Sequence, residues 1–389
     1  MSERPRGALP LLFSVVVVDL IGFGVVMPIL PLYAREFGAS GFEVGLLGTC
    51  YAAAQFAFAP FWGRLSDRFG RRRVLVSTIS GTAVALLAFG LAGSIAALFA
   101  ARTLAGLFAA NIGVASAYIT DVTDESERTR YMGLLGASFG VGFVVGPAIG
   151  GLLAPFGLAV PILVAAGLAG ANAVYAFFVL QEPARRTERG ERVGRLDVLR
   201  DPTVRRLCLT YFLFSVAVTQ LETMFALFMA DRFGYGAREV AFLFVGIAVV
   251  MGGIQGGGMR ALSARFAERT LSVAGMALLA AAFASMVLAP TVAILLLPLT
   301  VSAVGRGIAQ PPLMSLASFR AAADRRGIVL ATFQSSASLA RVVGPAAAGL
   351  LYDQSISGPF LLASGLMAGA TVLALGLPTP DPDPDPDRV

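Results

Sequence analysis

The chain has no histidine and no lysine, and only two cysteines and one tryptophan in 389 residues. Each scarcity closes a class of chemistry. Without lysine, no glycine-rich phosphate loop ending in that residue can be written, which argues against an ATP-driven pump. Without histidine, a membrane hydrolase lacks the base that would activate its nucleophile, and carboxylates are the groups left to exchange protons near neutral pH. Cys50 and Cys208 both fall in apolar segments and form neither a disulfide framework nor a metal-binding spacing, so no metal and no cofactor is expected. Charge is scarce too, at 14% of residues against 57% hydrophobic, with a mean hydropathy of +0.77. A soluble globule cannot hide that much apolar surface, so lipid is the expected solvent.

What remains is a succession of apolar runs of membrane length, each near the roughly 20 residues a helix needs to cross the hydrocarbon core. Twelve are expected: Leu9–Tyr33, Val44–Phe61, Val74–Ala92, Ile95–Ile119, Tyr131–Leu153, Ala159–Leu180, Leu207–Ala230, Val240–Met259, Leu271–Ala289, Val292–Ala317, Ile328–Leu351 and Pro359–Leu377. The first follows Arg4 and Arg6 as a secretory signal would, but it is too long, carries Asp19 and lacks a small-residue cleavage site; it reads as a retained helix. Arginine collects in the loops after spans two, six, eight and ten (Arg64 to Arg73, Arg185 to Arg206, Arg265 and Arg269, Arg320 to Arg326), while the loops after three, five and nine carry no charge. That asymmetry predicts cytoplasmic termini, and it explains the net charge of +6 without a nucleic-acid partner. The polar stretch 181–206 reads as a linker between helical bundles 1–180 and 207–377, and the Pro-Asp repeat 378–389 as an extended, unpacked tail.

One loop stands out. GRLSDRFGRRRVL (Gly63 to Leu75) is echoed by RALSARFAERTL (Arg260 to Leu271), and VVGPAIGGLL around Pro147 by VVGPAAAGLL around Pro345. Leu65 with Leu262, Pro147 with Pro345, Asp19 with Glu222 and Arg102 with Arg306 give offsets of 197, 198, 203 and 204 residues. A near-constant offset is the mark of an internal duplication, as in transporters built from paired halves.

These strings carry a resemblance. DLIGFGVVMPILP in span one, GRLSDRFGRRR in the second loop, Arg102 with Gly106 in span four, DVTDESERTRYMG, and GLLGASFGVGFVVGPAIGG in span five together resemble the major facilitator superfamily, in particular its twelve-span drug/proton antiporters near the tetracycline-efflux branch. The resemblance implies an all-α membrane protein: twelve transmembrane helices in two pseudo-symmetric six-helix bundles. Span five keeps the family's antiporter pattern at Gly133, Gly142, Gly146, Pro147, Gly150 and Gly151. Departures are Ala105 and Phe108 where the family usually has Gln and Gly, and Ala264 where the second half would repeat Asp67.

Five ionisable side chains lie at bilayer depth: Asp19, Arg102, Glu222, Arg306 and Arg341. At that depth they should face a cavity or a partner. The first four fall on spans one, four, seven and ten, which line the central cavity in the resembled fold, so each half offers an acid and an arginine. A carboxylate beside an arginine stays ionised while one buried without it tends to hold its proton, so separating such a pair loads or releases a proton. These five are the proton-coupling candidates; for Arg341, and to a lesser degree Arg102, bracing of helices is the competing role.

In the loop motif, Gly63 and Gly70 allow a tight reversal, and Arg71, Arg72 and Arg73 suit an anionic inner surface. The resemblance implies a latch of Gly63, Asp67, Arg68, Gly70, Arg71 and Asp121, with Asp67 against the amino end of span eleven and Arg71 on Asp121. The span-five glycines would let two helices approach closely, with packing alone as the plain alternative.

Sparse polar side chains (Tyr51, Gln55, Asn111, Gln220, Gln255, Gln310, Gln334, with Tyr211) among phenylalanines suit a lipophilic small molecule with few polar groups better than a sugar. The expected protein is a monomer in a prokaryotic inner membrane, exchanging such substrates for protons, with no enzymatic activity. A solute symporter of the same fold and a non-transporting sensor or scaffold are the alternatives.

Overall fold

A computed structural model describes residues 8–123, 125–183, 198–319 and 326–377. Residues 184–197 of the expected linker 181–206, Arg4, Arg6, Arg320, Arg325 and the Pro-Asp tail lie outside the described residues. Among the described residues twelve long helices follow one another: α1 (Ala8–Glu36), α2 (Gly41–Phe69), α3 (Arg71–Gly90), α4 (Ile95–Val122), α5 (Glu125–Leu153), α6 (Ala159–Val179), α7 (Pro202–Phe233), α8 (Ala237–Ser263), α9 (Glu268–Leu288), α10 (Val292–Phe319), α11 (Arg326–Gln354) and α12 (Gly358–Leu375). Eleven are long and apolar enough to cross a membrane. The twelfth, α11, is as long at 29 residues, but Gln334, Ser335, Ser336, Ser338 and Arg341 dilute its apolar character. Nine expected spans correspond to helices that run on by three residues or more at one or both ends, as α2 does to Phe69, because polar residues outside the hydrocarbon still sustain the helical ladder.

Helix starts follow local chemistry. Ser40 accepts from the Glu43 amide while the Glu43 carboxylate accepts from the Ser40 amide, a reciprocal cap on α2. Ser94 caps α4 with a single bond, its hydroxyl accepting from the Ala97 amide. Two helices are irregular inside. α4 stops at Phe108 and restarts at Asn111, and α8 widens to a π-turn over Ile254–Gly258, where three consecutive glycines bring no side chains to hold the regular ladder. The sequence reading, which runs span four continuously from Ile95 to Ile119, misses the first of these.

The chain divides into two compact units. The first comprises described residues of 1–189, 222–248 and 345–356; in it α1 packs on α5 and α6, α2 on α4, and α3 on α4 and α6. Its core cluster gathers Leu12, Val15, Leu75, Ile79, Tyr118 and Ile119, all fully buried. The second comprises described residues of 190–221, 249–344 and 357–389, with α9 packed on α10 and α12.

Candidate functional site

The polar centre of the first unit is organised by the break in α4. A break frees backbone carbonyls that a continuous helix would satisfy, and at bilayer depth these need other donors. α2 supplies them: Gln55 Nε2 donates to the Ala109 carbonyl at 2.9 Å, and Trp62 Nε1 to the Leu107 carbonyl at 2.5 Å. The two helices meet at Gly106, where a Cβ would stand 2.8 Å from that of Ala54.

The restart makes Asn111 the first residue of the second segment, 6% exposed. Its Nδ2 donates to Asp19 Oδ1 at 2.7 Å, while its own Oδ1 is buried and accepts no hydrogen bond. Arg102, on the segment before the break, places its guanidinium carbon 4.5 Å from the Tyr51 ring centre and 5.9 Å from that of Phe89. The expected acid–arginine pairing is therefore not made between Asp19 and Arg102. The break turns an amide toward Asp19, and the arginine rests on aromatic faces.

In the second unit, Tyr211 stacks on Phe333 with ring centres 4.0 Å apart. Its hydroxyl meets Gln310 and faces Arg306 and Arg341, which gathers three candidate residues from α10 and α11 around one α7 side chain. Gln220 corrects an expectation: it is fully buried, and its Nε2 donates to the Val216 and Gly344 carbonyls at 3.1 Å, so it braces α7 against α11 and is sealed from any cavity. Gln255 and Gln334 are exposed; Glu222, on the part of α7 that belongs to the first unit, is half-buried.

At the loop motif, Arg71 is the hub. Its Nε donates to Asp121 Oδ2 at 2.8 Å, and its Nη1 to Ser66 Oγ and Asp67 Oδ1, both at 2.6 Å. The Arg71 and Asp121 side chains are 17% and 14% exposed and Asp67 64%, so the Arg71–Asp121 pair is shielded while Asp67 stands largely in solvent. Gly70 has φ of 106°, a left-handed turn that glycine permits. Gly63 corrects an expectation: it lies inside α2 with open space where a Cβ would be, so it takes no part in the reversal. Arg68 lies over the Phe69 ring. A residue that sequence reasoning missed, Glu182, receives the Arg71 and Arg72 amides at 2.5 and 3.2 Å and so caps α3. The residues just before α11, where Asp67 was expected to dock, lie outside the described residues.

The span-five glycines do not share one surface. Gly142, Gly146 and Gly150 face α1, and a Cβ on Gly146 would come within 2.6 Å of Gly24 Cα. Gly151 faces Ala241 on α8, and Gly133 faces open space. Pro147 lies within α5, beside Gly24.

A second ionic cluster joins distant parts of the chain within the first unit. Arg35 at the end of α1 holds Asp231 of α7 through both guanidinium nitrogens, one bond being 2.9 Å, and the Tyr352 hydroxyl donates to Asp231 Oδ2 at 2.6 Å. Next to it, Asp353 accepts from the Gly41 and Phe42 amides at 2.7 and 2.9 Å, capping α2 from α11. No local string announces these contacts; an acid at a helix end is the sole signal in the sequence.

Twelve helices of membrane length among the described residues, strings repeated in the two halves and ionisable side chains at bilayer depth define a multi-pass membrane transporter. The sequence profile of the Major Facilitator Superfamily matches residues 12–345 and 259–389, and the chain belongs to that family. It is similar to the Escherichia coli tetracycline resistance protein, class C, at 31% identity over 91% of this chain and 92% of that protein. It is similar to multidrug resistance protein 1 of Bacillus subtilis (strain 168) at 30% identity over 96% and 97%. The fold is shared with the crystal structure of a bacterial homologue of the human lysosomal transporter Spinster, in an inward-facing, unoccupied conformation: TM-score 0.77, 17% identity, 97% of this chain and 95% of that one.

Proposed function

We propose that this chain exports amphipathic small molecules across a bacterial inner membrane in exchange for protons, by alternating access between two six-helix halves, 1–180 and 207–377, with both termini cytoplasmic. The observation that carries the reading is a carboxylate at bilayer depth, Asp19, held by an amide rather than by an arginine, in a chain whose relatives are named for tetracycline and multidrug resistance. Glu222 is the corresponding acid of the second half, and Arg102, Arg306 and Arg341 supply the opposing charge. The mixture of aromatic and sparse polar side chains supports a lipophilic ligand. The Arg71–Asp121–Asp67 cluster acts as a latch on the cytoplasmic side, and the protein works as a monomer without a cofactor.

The test is efflux of tetracycline and of a panel of fluorescent lipophilic cations and neutral drugs from proteoliposomes, with an imposed pH gradient switched on and off. Export that follows the gradient is expected. Flux with the gradient rather than against it makes the chain a symporter, and no flux of any panel member contradicts the reading.

A further inference from the structure

The break in α4 does more than interrupt a helix. It delivers the Asn111 amide to Asp19 and leaves its Oδ1 buried without a hydrogen bond; Asn172 Oδ1 and Gln220 Oε1 are left the same way, but those two amides donate to backbone carbonyls, whereas Asn111 sits on a carboxylate that becomes a donor when protonated. Resting on the reading of Asp19 as the proton carrier, we propose that Asn111 is the positioning residue that lets Asp19 change protonation in place. Its Nδ2 donates to the carboxylate, and its Oδ1, after the amide turns about its Cβ–Cγ bond, accepts from the carboxylic acid. A hydronium ion gives its proton to Asp19 and leaves as water, and one O–H bond forms as another breaks. The amide then serves both states, where an arginine would hold the ionised one alone.

The neighbours are consistent with a two-state pair. On the helices packed against α1, Arg102 and Tyr51 engage each other, the Tyr118 hydroxyl donates to the Gln181 carbonyl, Tyr131 stacks on Phe13, Tyr175 meets Ser14, and Asp121 is held by Arg71. Cys50 of α2 also lies near Arg102. Gln55, by fixing the Ala109 carbonyl, holds the break that aims Asn111.

The test measures the pH dependence of gradient-driven tetracycline efflux from proteoliposomes of the full-length protein. A bond to an ionised acid is stronger than one to a neutral acid, so Asn111→Leu should move the midpoint of the profile about one pH unit alkaline, a tenfold gain in proton affinity, and Asn111→Gln should restore most of it. In an Asp19→Asn background, Asn111→Leu should change the profile no further. An unmoved midpoint in Asn111→Leu, with pH dependence lost in Asp19→Asn, overturns the inference and leaves the proton role of Asp19 standing. PH dependence that survives Asp19→Asn overturns both. The wild-type protein gives an independent reading even where Asn111→Leu fails to reach the membrane. The chain has two asparagines, Asn111 and Asn172, and Asn172 donates to the Val15 carbonyl with no acid attached. With labelled asparagine, the Asn111 side-chain amide resonance should shift at the midpoint of Asp19 while that of Asn172 stays fixed; two static resonances overturn the inference.

Discussion

The two ends of α2 solve one electrostatic problem with different materials. At its carboxyl end, Arg71 ties Asp67, Ser66 and Asp121 together, all from the first half of the chain. At its amino end, Asp353 reaches the Gly41 and Phe42 amides from 312 and 311 positions away, beside an Arg35–Asp231–Tyr352 cluster whose members are 196 and 121 positions apart. The Arg71 cluster joins α2, α3 and α4, with Asp121 lying 50 positions from Arg71. The second end exists only when α1, α2, α7 and α11 have come together, through bonds that span 121 positions or more.

The contrast can be broken by substitution, and Arg71 should give the largest effect. Arg71→Leu leaves Asp121, 14% exposed, without its counter-charge, and about 2–3 kcal/mol of stability should be lost, less than for a fully buried pair because Asp67 is solvated. Thermal unfolding in detergent checks this, and Arg71→Lys, which keeps the charge but not the fork, should fall between. Asp231→Asn should cost about 1–2 kcal/mol, since Arg35 and Asp231 are 37% and 28% exposed. Its signature should be local: faster labelling of Ala39→Cys, a position 6% exposed four residues after Arg35, because the end of α1 is no longer held to Asp231. Asp353→Asn removes the charge but not the polar cap on α2, and about 1 kcal/mol is expected because Ser40 and Glu43 remain in place. Smallest is Asp67→Asn, below about 0.5 kcal/mol in stability for a side chain 64% exposed, with any slowing visible in turnover rather than in substrate affinity. Turnover equal to wild type in Asp67→Asn would reduce this acid to part of a topology signal.

The same contrast marks what the sequence makes legible. Apolar runs, arginine-rich loops and the repeated strings near Pro147 and Pro345 record the fold, because lipid allows a spanning segment few other forms than a helix. The Arg71–Asp121 bond was legible through the family resemblance. The break at Ala109–Ala110 was not: no proline lies there, and it is stabilised by Gln55 and Trp62 from another helix. Asn111 was legible as a polar residue at depth but not as the partner of Asp19, and Gln220 looked the same in sequence yet is sealed between α7 and α11. Periodicity identifies a polar side chain; only packing says what it meets.

The most direct measurement of the central claim is proton release on substrate binding. Purified protein in weakly buffered detergent solution, at a pH where transport is half-maximal, is mixed with tetracycline and a pH indicator. The account predicts a stoichiometric acidification in the wild-type protein that is lost in Asp19→Asn while tetracycline still binds. The same acidification in Asp19→Asn would contradict it.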